Sequence, residues 1–115
     1  MNNTEAWAFE ERFWLNGELF YRANLAHDCL MVFPAPFGIL DNAGIHASLA
    51  DAPRWDSVSM SERVLARPDN TTIVLGYRAA GIRVGDSPYY AYCTSTYRKD
   101  DQSWKLVQHQ QTPIV

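Results

Sequence analysis

The sequence predicts an α+β domain in which helices pack on one face of a mainly antiparallel sheet. Apolar residues recur at helical spacing in the N-terminal part of the chain, and alternating residues separated by turn sequences fill the second half. Helices followed by a run of antiparallel strands are typical of the α+β class. With 115 residues, the chain is expected to form a single domain, residues 1–115.

Three helices are predicted. The first extends from about Thr4, a candidate cap, to Leu15, where the dipeptide NG ends it. The second, ELFYRANL, is expected to turn Leu19 and Phe20 toward the core. The third, DNAGIHASLA, begins at Asp41, whose side chain can cap it.

The strands follow from apolar runs and turn sequences. The continuous apolar run CLMVF predicts a strand that is buried on both faces. Three more strands are predicted around Val58–Ala66, Thr71–Val84 and Tyr89–Arg98, and a last strand begins at Trp104. The turns RPDN, VGDSP and KDDQS separate these strands.

Composition excludes several partner classes. The net charge is −3 and the Lys and Arg residues are scattered, so no nucleic-acid partner is expected. No apolar run approaches the roughly 20 residues that span a bilayer, and the acidic start lacks the features of a signal peptide, which predicts a cytoplasmic protein without membrane contact. Cys29 and Cys93 are predicted to be buried free thiols. Their spacing does not indicate zinc, and neither a metal nor a cofactor is expected.

Two of the strands have a bulky face and a face of mostly small residues. They are the strands predicted around Thr71–Val84 and Tyr89–Arg98. In the former, the bulky Ile73, Leu75 and Tyr77 alternate with smaller residues and with Arg78. The small stripes leave volume above the sheet, which either helix side chains or a ligand would fill. An arginine on a central strand needs a carboxylate partner or a wet cavity. The candidate carboxylates are Glu10, Glu11 and Asp28.

The polar run QHQQ near the C-terminus is the second candidate feature. Strand alternation places His109 and Gln111 on one face together with Lys105 and Val107, and a local bulge would exchange the two faces. His109 could act as a general base or donor because imidazole titrates near pH 6.5. It could equally be a structural histidine whose two nitrogens are satisfied by neighbouring groups.

The whole chain resembles a known family. A helix broken at NG, the segment LAHDCLMVFPAPFGIL, the GIHASLA helix and the ending WKLVQHQQTP resemble the nuclear transport factor 2-like superfamily, in its SnoaL-like branch of small bacterial proteins. The resemblance implies a cone-shaped, cystatin-like domain whose strongly bent sheet wraps the helices and leaves a pocket at the open end. It also implies a homodimer formed through the outer sheet face, with Tyr77, Tyr90 and Tyr92 against the partner subunit.

The catalytic carboxylates of the family do not carry over. The ketosteroid isomerases of the family place an aspartate before the proline that follows the first strand, where this chain has Phe33 before Pro34. The SnoaL-type cyclases place an acidic residue in the last strand, where this chain has only the QHQQ run. No catalytic machinery of the family is carried over, and His109 is the candidate catalytic residue because of its imidazole alone.

The resemblance also predicts a ligand site and two alternative functions. The candidate ligand-binding residues are Trp14, Tyr21, His46, Arg78, Ser95 and Gln111. Four of them would form one polar cluster with His109, which suits a small anionic or carbonyl-bearing ligand: His46, Arg78, Ser95 and Gln111. The chain is then a small-molecule-binding domain that acts as a cofactor-independent isomerase, cyclase or dehydratase with His109 as acid–base group. The alternative is a non-enzymatic dimerisation module with a vestigial pocket.

Overall fold

The structure, a computed structural model, describes residues 1–114 and has the α+β architecture that the sequence predicts. In chain order the elements are α1 Asn3–Leu15, α2 Glu18–Asn24, β1 Leu25–Val32, β2 Ile39–Leu40, α3 Asn42–Asp51, β3 Ser57–Asp69, β4 Thr72–Ile82, β5 Tyr89–Asp100 and β6 Ser103–Pro113. The strands form one mixed sheet in the order β2-β1-β6-β5-β4-β3, which does not close into a barrel. The β1–β6 pair is parallel and the other pairs are antiparallel.

The first helix begins earlier than the sequence predicts. Its cap is Asn2 rather than Thr4: the Asn2 side chain accepts the Glu5 N–H at 2.8 Å, and the Glu5 carboxylate accepts the Asn2 N–H at 2.9 Å. This capping box satisfies two N–H groups that would otherwise lack acceptors. In α2 the prediction is right for Phe20, which is buried, and wrong for Leu19, which is 79% exposed.

The first strand is buried on one face only, which corrects the prediction from its continuous apolar run. Cys29 and Met31 are buried, whereas Leu30 is 51% exposed and Val32 also lies open on the other face. No second layer covers that face within residues 1–114, because the helices pack on the other side of the sheet. Cys29 and Cys93 are buried free thiols, as predicted.

The β4–β5 register decides which stripes share a face. Tyr77 pairs with Cys93, so the bulky face of β4 and the small face of β5 lie together on the inner side of the sheet, under the helices. Arg78 pairs with Tyr92 on the opposite, outer side. The face of β4 with small residues and the face of β5 with small residues therefore lie on opposite sides of the sheet. Tyr77 is a core residue, which corrects the expectation that it contacts a partner subunit.

A bulge in β6 changes the side-chain alternation along the last strand. Ser95 pairs with His109, but Tyr97 pairs with Leu106, so one residue of β6 is extra between these pairs. As a result Leu106 and His109, three positions apart, both point inward and are buried. His109 and Gln111 share one face, as the alternation predicts, whereas Lys105, before the bulge, pairs with Arg98 and lies on the opposite face.

Candidate functional site

A buried carboxylate lies at the centre of the core. Glu10, in α1, is 1% exposed and accepts hydrogen bonds from the hydroxyl groups of Tyr77, Tyr97 and Ser95. Trp14, one turn further along α1, donates its indole N–H to Tyr77 Oη at 2.9 Å. Burial, reinforced by the negative Glu10, raises the pKa of both tyrosines well above the ordinary value of 10. Both phenols therefore remain donors, and Glu10 has the acceptor role of an ionised carboxylate.

The Glu10 cluster continues into a chain of hydrogen bonds that ends at a histidine. Ser95 Oγ donates to Glu10 Oε2 at 2.7 Å and lies 2.7 Å from His109 Nδ1. Because the single Ser95 hydrogen points at Glu10, Ser95 Oγ must accept from Nδ1–H. At the other end Tyr89 donates to Gln111 Oε1 at 3.0 Å, which leaves the Gln111 amide nitrogen as a donor 3.1 Å from His109 Nε2. All these directions agree with a neutral His109 that carries its proton on Nδ1.

The environment of His109 favours the neutral ring. Burial lowers the pKa of His109 below the ordinary 6.5, and the positive charge of Arg54 acts in the same direction. Glu10, whose Oε2 atom lies 3.5 Å from His109 Nδ1, and a hydrogen bond to the Thr94 backbone both raise the pKa, but burial outweighs them. At neutral pH the imidazole is therefore a proton acceptor at Nε2, and a nearby carboxylate stands ready to stabilise the imidazolium.

His109 lines a cavity of about 270 Å³ between the helices and the sheet, and its Nε2 contacts Gln111, another lining residue. The cavity is lined by Phe13, Trp14, Tyr21, Met31, Phe33, Pro34, Ala35, Pro36, Phe37, Leu40, Ser48, Ala52, Arg54, Trp55, Arg83, Tyr89, Leu106, His109 and Gln111. Most of the lining is aromatic or aliphatic, with a few polar groups, as in many small-molecule sites.

Arg54 fixes the end of α1 against the cavity. Its guanidinium donates to the carbonyl groups of Phe13, Trp14 and Asn16 at 2.6, 2.8 and 2.9 Å, and to Tyr21 Oη at 3.2 Å. These carbonyls belong to the last turn of the helix, where no helical N–H satisfies them and where the helix dipole favours a cation. Arg54 is thus a fixed positive charge in the cavity wall.

Trp55 forms the aromatic wall near the end of β4. Its ring stacks on Tyr89 at a centroid distance of 5.4 Å, and the Arg83 guanidinium lies 3.7 Å from its centroid. The indole packs so closely on Gly81 that a Cβ at that position would lie 2.9 Å from Trp55 Cε3. Glycine is therefore required for this position of the ring.

Four of the residues that the sequence predicts for the site line the cavity. They are Trp14, Tyr21, His109 and Gln111. Burial raises the pKa of Tyr21 to about 12, so its hydroxyl stays protonated and donates to the Phe13 carbonyl. Ser95 is fully buried behind His109 and reaches the cavity only through the imidazole.

The structure does not bring the other two predicted residues to the cavity. His46, in α3, lies 3.0 Å from the carboxylate of Glu18 in α2, so it joins two helices instead. Arg78 lies on the outer face with its guanidinium 4.9 Å from the Tyr90 ring centroid. Arg78 forms no ion pair with any residue in 1–114. The predicted single cluster of His46 and Arg78 with His109 is therefore not formed.

Sequence reasoning missed Glu10, Arg54, Trp55, Arg83 and Tyr89 as parts of the site. Glu10 could have been found, because it lies in the apolar stripe of α1 at helical spacing from buried Trp7, Phe13 and Trp14. A charged residue in such a stripe indicates a buried partner. Arg54 and Trp55 lie in the loop before β3, which carries no periodic signal. Their contacts bring Arg83 and Tyr89 into the site.

Neither a cluster of metal-ligating side chains nor a membrane-spanning helix occurs within residues 1–114. That part of the chain brings together no group of three or more His, Cys, Asp or Glu side chains that could hold a metal ion. None of its helices has the length and apolar character needed to cross a membrane.

Solved structures with the same fold are numerous and distant in sequence. A candidate ketosteroid isomerase from Parabacteroides distasonis has 16% identity and a TM-score of 0.80, over 95% of this chain and 85% of that chain. A nuclear transport factor 2-like protein of unknown function in nutrient uptake from Rhodospirillum rubrum has 22% identity and a TM-score of 0.75, with 94% and 97% covered. The CamKII hub homology domain of Chlamydomonas reinhardtii has 14% identity and a TM-score of 0.80, with 100% and 99% covered. No protein-family model and no curated protein matches the chain.

Proposed function

Because the chain has the nuclear transport factor 2-like fold, with a cavity beneath its helices, we propose that it binds a small molecule there and that His109 transfers a proton to or from it. The observation that carries this proposal is the hydrogen-bond chain Glu10–Ser95–His109, which leaves the unprotonated Nε2 at the cavity surface. The reaction class is a cofactor-independent isomerisation or elimination on a small carbonyl or carboxylate compound.

The geometry supports general-base chemistry in three ways. His109 is neutral, so Nε2 can accept a proton from a carbon next to a carbonyl group. The imidazolium that forms is stabilised by the negative Glu10, whose Oε2 atom lies 3.5 Å from Nδ1. Substrate would compete with the Gln111 amide for Nε2, and the released amide N–H and the Tyr89 hydroxyl can then donate to a developing oxyanion.

Filling the cavity should abolish binding. Ala52, the residue that follows α3, lines the cavity, whereas Ala47, within α3, is exposed outside it. We expect Ala52→Phe to eliminate NMR shift changes in the Trp14 and Trp55 indole signals when small aryl ketones and aryl acids are added, and Ala47→Phe to leave them intact. Binding that survives in Ala52→Phe, or wild-type protein that responds to none of these compounds, would contradict the proposal.

A second candidate function, assembly through the outer face, rests on a different observation. Apolar side chains on this face are open to solvent: Leu30, Val32, Val64, Tyr90 and Tyr92. Near them the paired strands carry uncharged Thr and Gln side chains and Arg78, and the ion pair of Arg98 with Asp28 lies toward one end of the face. A surface of this kind suits a second copy of the chain, and such a homodimer would exist with or without a reaction in the cavity.

A charge introduced on the outer face would be buried in the dimer interface, and this tests the dimer. Tyr92 is 52% exposed near the middle of the outer face, and Leu19 is exposed on α2. In sedimentation velocity we expect a wild-type dimer, a Tyr92→Asp monomer and a Leu19→Asp dimer. An unpaired carboxylate in an interface should weaken association by roughly 100-fold or more. A wild-type monomer, or a Tyr92→Asp dimer of unchanged affinity, would exclude this interface.

A further inference from the structure

The charges around the cavity are of one sign. Thirteen residues of the chain are Asp or Glu, but none of them is among the nineteen that line the cavity within residues 1–114. Two arginines do line it, Arg54 and Arg83. Neither forms an ion pair with any described residue, and Glu10 is engaged by Tyr77, Tyr97 and Ser95. Because His109 is neutral, the net charge of the lining is positive, which favours an anionic ligand.

The two arginines differ in how many of their donors are already used. Arg54 makes four hydrogen bonds, three of them to the carbonyl groups that end α1, so its role is to fix the wall and supply positive charge. Arg83 has one acceptor within residues 1–114, the Pro53 carbonyl at 2.8 Å from Nη2. The nearby Asp56 accepts the backbone N–H of Val84 instead, at 2.7 Å.

The Nε–H group of Arg83 is buried and has no acceptor among residues 1–114. A buried donor without an acceptor costs free energy, and in native proteins such groups are uncommon away from functional sites. The Arg83 guanidinium is held in place by the Pro53 carbonyl and by the Trp55 ring, whose centroid lies 3.7 Å from Cζ. Because Nε is closed to solvent, a ligand would meet the guanidinium at Nη1, which makes no hydrogen bond within residues 1–114, and the charged, planar group suits a carboxylate oxygen there.

We propose that the cavity takes a small aromatic carboxylate, with the carboxylate group on Arg83 and the ring among the aromatic side chains. This assignment rests on the proposed function and adds the ligand class to it. The apolar part of the lining includes Phe33, Phe37 and Trp55, which offer ring faces and edges to an aromatic body. A volume of about 270 Å³ accommodates one ring with a short side chain. Arg83 is then the residue that determines preference for an acid over a neutral analogue.

The test compares acids with their amides in three proteins. The probes are trans-cinnamate and phenylacetate, with cinnamamide and phenylacetamide as neutral counterparts, and the readout is isothermal titration calorimetry. The proteins are wild type, Arg83→Gln and Arg78→Gln. The two variants lose the same charge, but Arg78 lies on the outer face. We expect wild type and Arg78→Gln to bind the acids 10- to 100-fold more tightly than the amides, the range expected for about 1.5–3 kcal/mol from a charged hydrogen bond. In Arg83→Gln that preference should disappear.

The outcomes separate this inference from the proposal on which it rests. Amides that bind as tightly as acids to wild type would overturn the carboxylate assignment and leave the ligand-binding cavity standing. The same holds if Arg83→Gln keeps the preference for acids, or if Arg78→Gln loses it. If wild type binds neither the acids, nor the amides, nor any neutral aryl ketone, both the assignment and the proposed function fail.

Discussion

Replacing Glu10 by alanine should lower the free energy of unfolding by about 3–5 kcal/mol, the range observed when one partner of a buried charged network is removed. The change leaves the hydroxyl groups of Tyr77, Tyr97 and Ser95 without their acceptor inside the core and also creates a cavity. The measurement is equilibrium denaturation in urea, compared through the midpoint and slope.

The neighbouring residue provides the control for this prediction. Glu11 is exposed on the same helix, and Glu11→Ala should change stability by no more than about 0.5 kcal/mol. If Glu10→Ala does not fold, Glu10→Gln keeps the shape but turns an amide donor toward hydroxyl donors, and should cost about 1–3 kcal/mol. Two glutamate variants of equal stability, Glu10→Gln and Glu11→Gln, would mean that the network does not support the fold.

Replacing His109 by glutamine should slow proton exchange from a bound ketone by about 10²- to 10⁴-fold, the usual contribution of a general base. The assay follows loss of the α-proton signals of 4-oxo-4-phenylbutanoate and propiophenone in D₂O by NMR, after subtraction of the uncatalysed rate. The assay does not require the natural substrate to be known, because it detects only the transfer of a proton from carbon. Glutamine keeps a polar group of similar length at the cavity surface but cannot accept the proton.

The matched control for His109→Gln is the other histidine that the sequence suggested. His46 pairs with Glu18 away from the cavity, so His46→Gln should exchange protons at the wild-type rate. Equal rates in wild type and His109→Gln would contradict the catalytic role. If both also bound the probes equally well, the cavity would be a binding site without general-base chemistry.

The architecture was predictable because it depends on local patterns. The spacing of apolar residues located α1, the Asp41 cap located the start of α3, and the turn sequences separated the strands. The N-terminal cap of α1 was harder to predict, since both Asn2 and Thr4 are suitable capping residues. Asn2 is the cap because Glu5, three residues later, completes a capping box with it.

The site was only partly predictable because it depends on register and on a loop. His109 and Gln111 could be placed from their position in the last strand, but the bulge that brings Leu106 to the same side has no sequence signature here. The faces of β4 and β5 could not be matched without knowing that Tyr77 pairs with Cys93, and so Arg78 was assigned to the wrong side. Arg54 and Trp55 reach the site from a loop, where long-range contacts determine position.

The central claim is that the hydrogen-bond chain from Glu10 through Ser95 presents a neutral His109 at the cavity, with its proton on Nδ1 and with an unprotonated Nε2 that accepts from Gln111. The direct measurement is ¹⁵N NMR of the labelled imidazole at pH 7, in wild type and in Ser95→Ala. We predict a wild-type ring with one protonated nitrogen, Nδ1, and loss of that single tautomer in Ser95→Ala. A ring protonated on Nε2 or on both nitrogens in wild type, or one unaffected by Ser95→Ala, would contradict the claim.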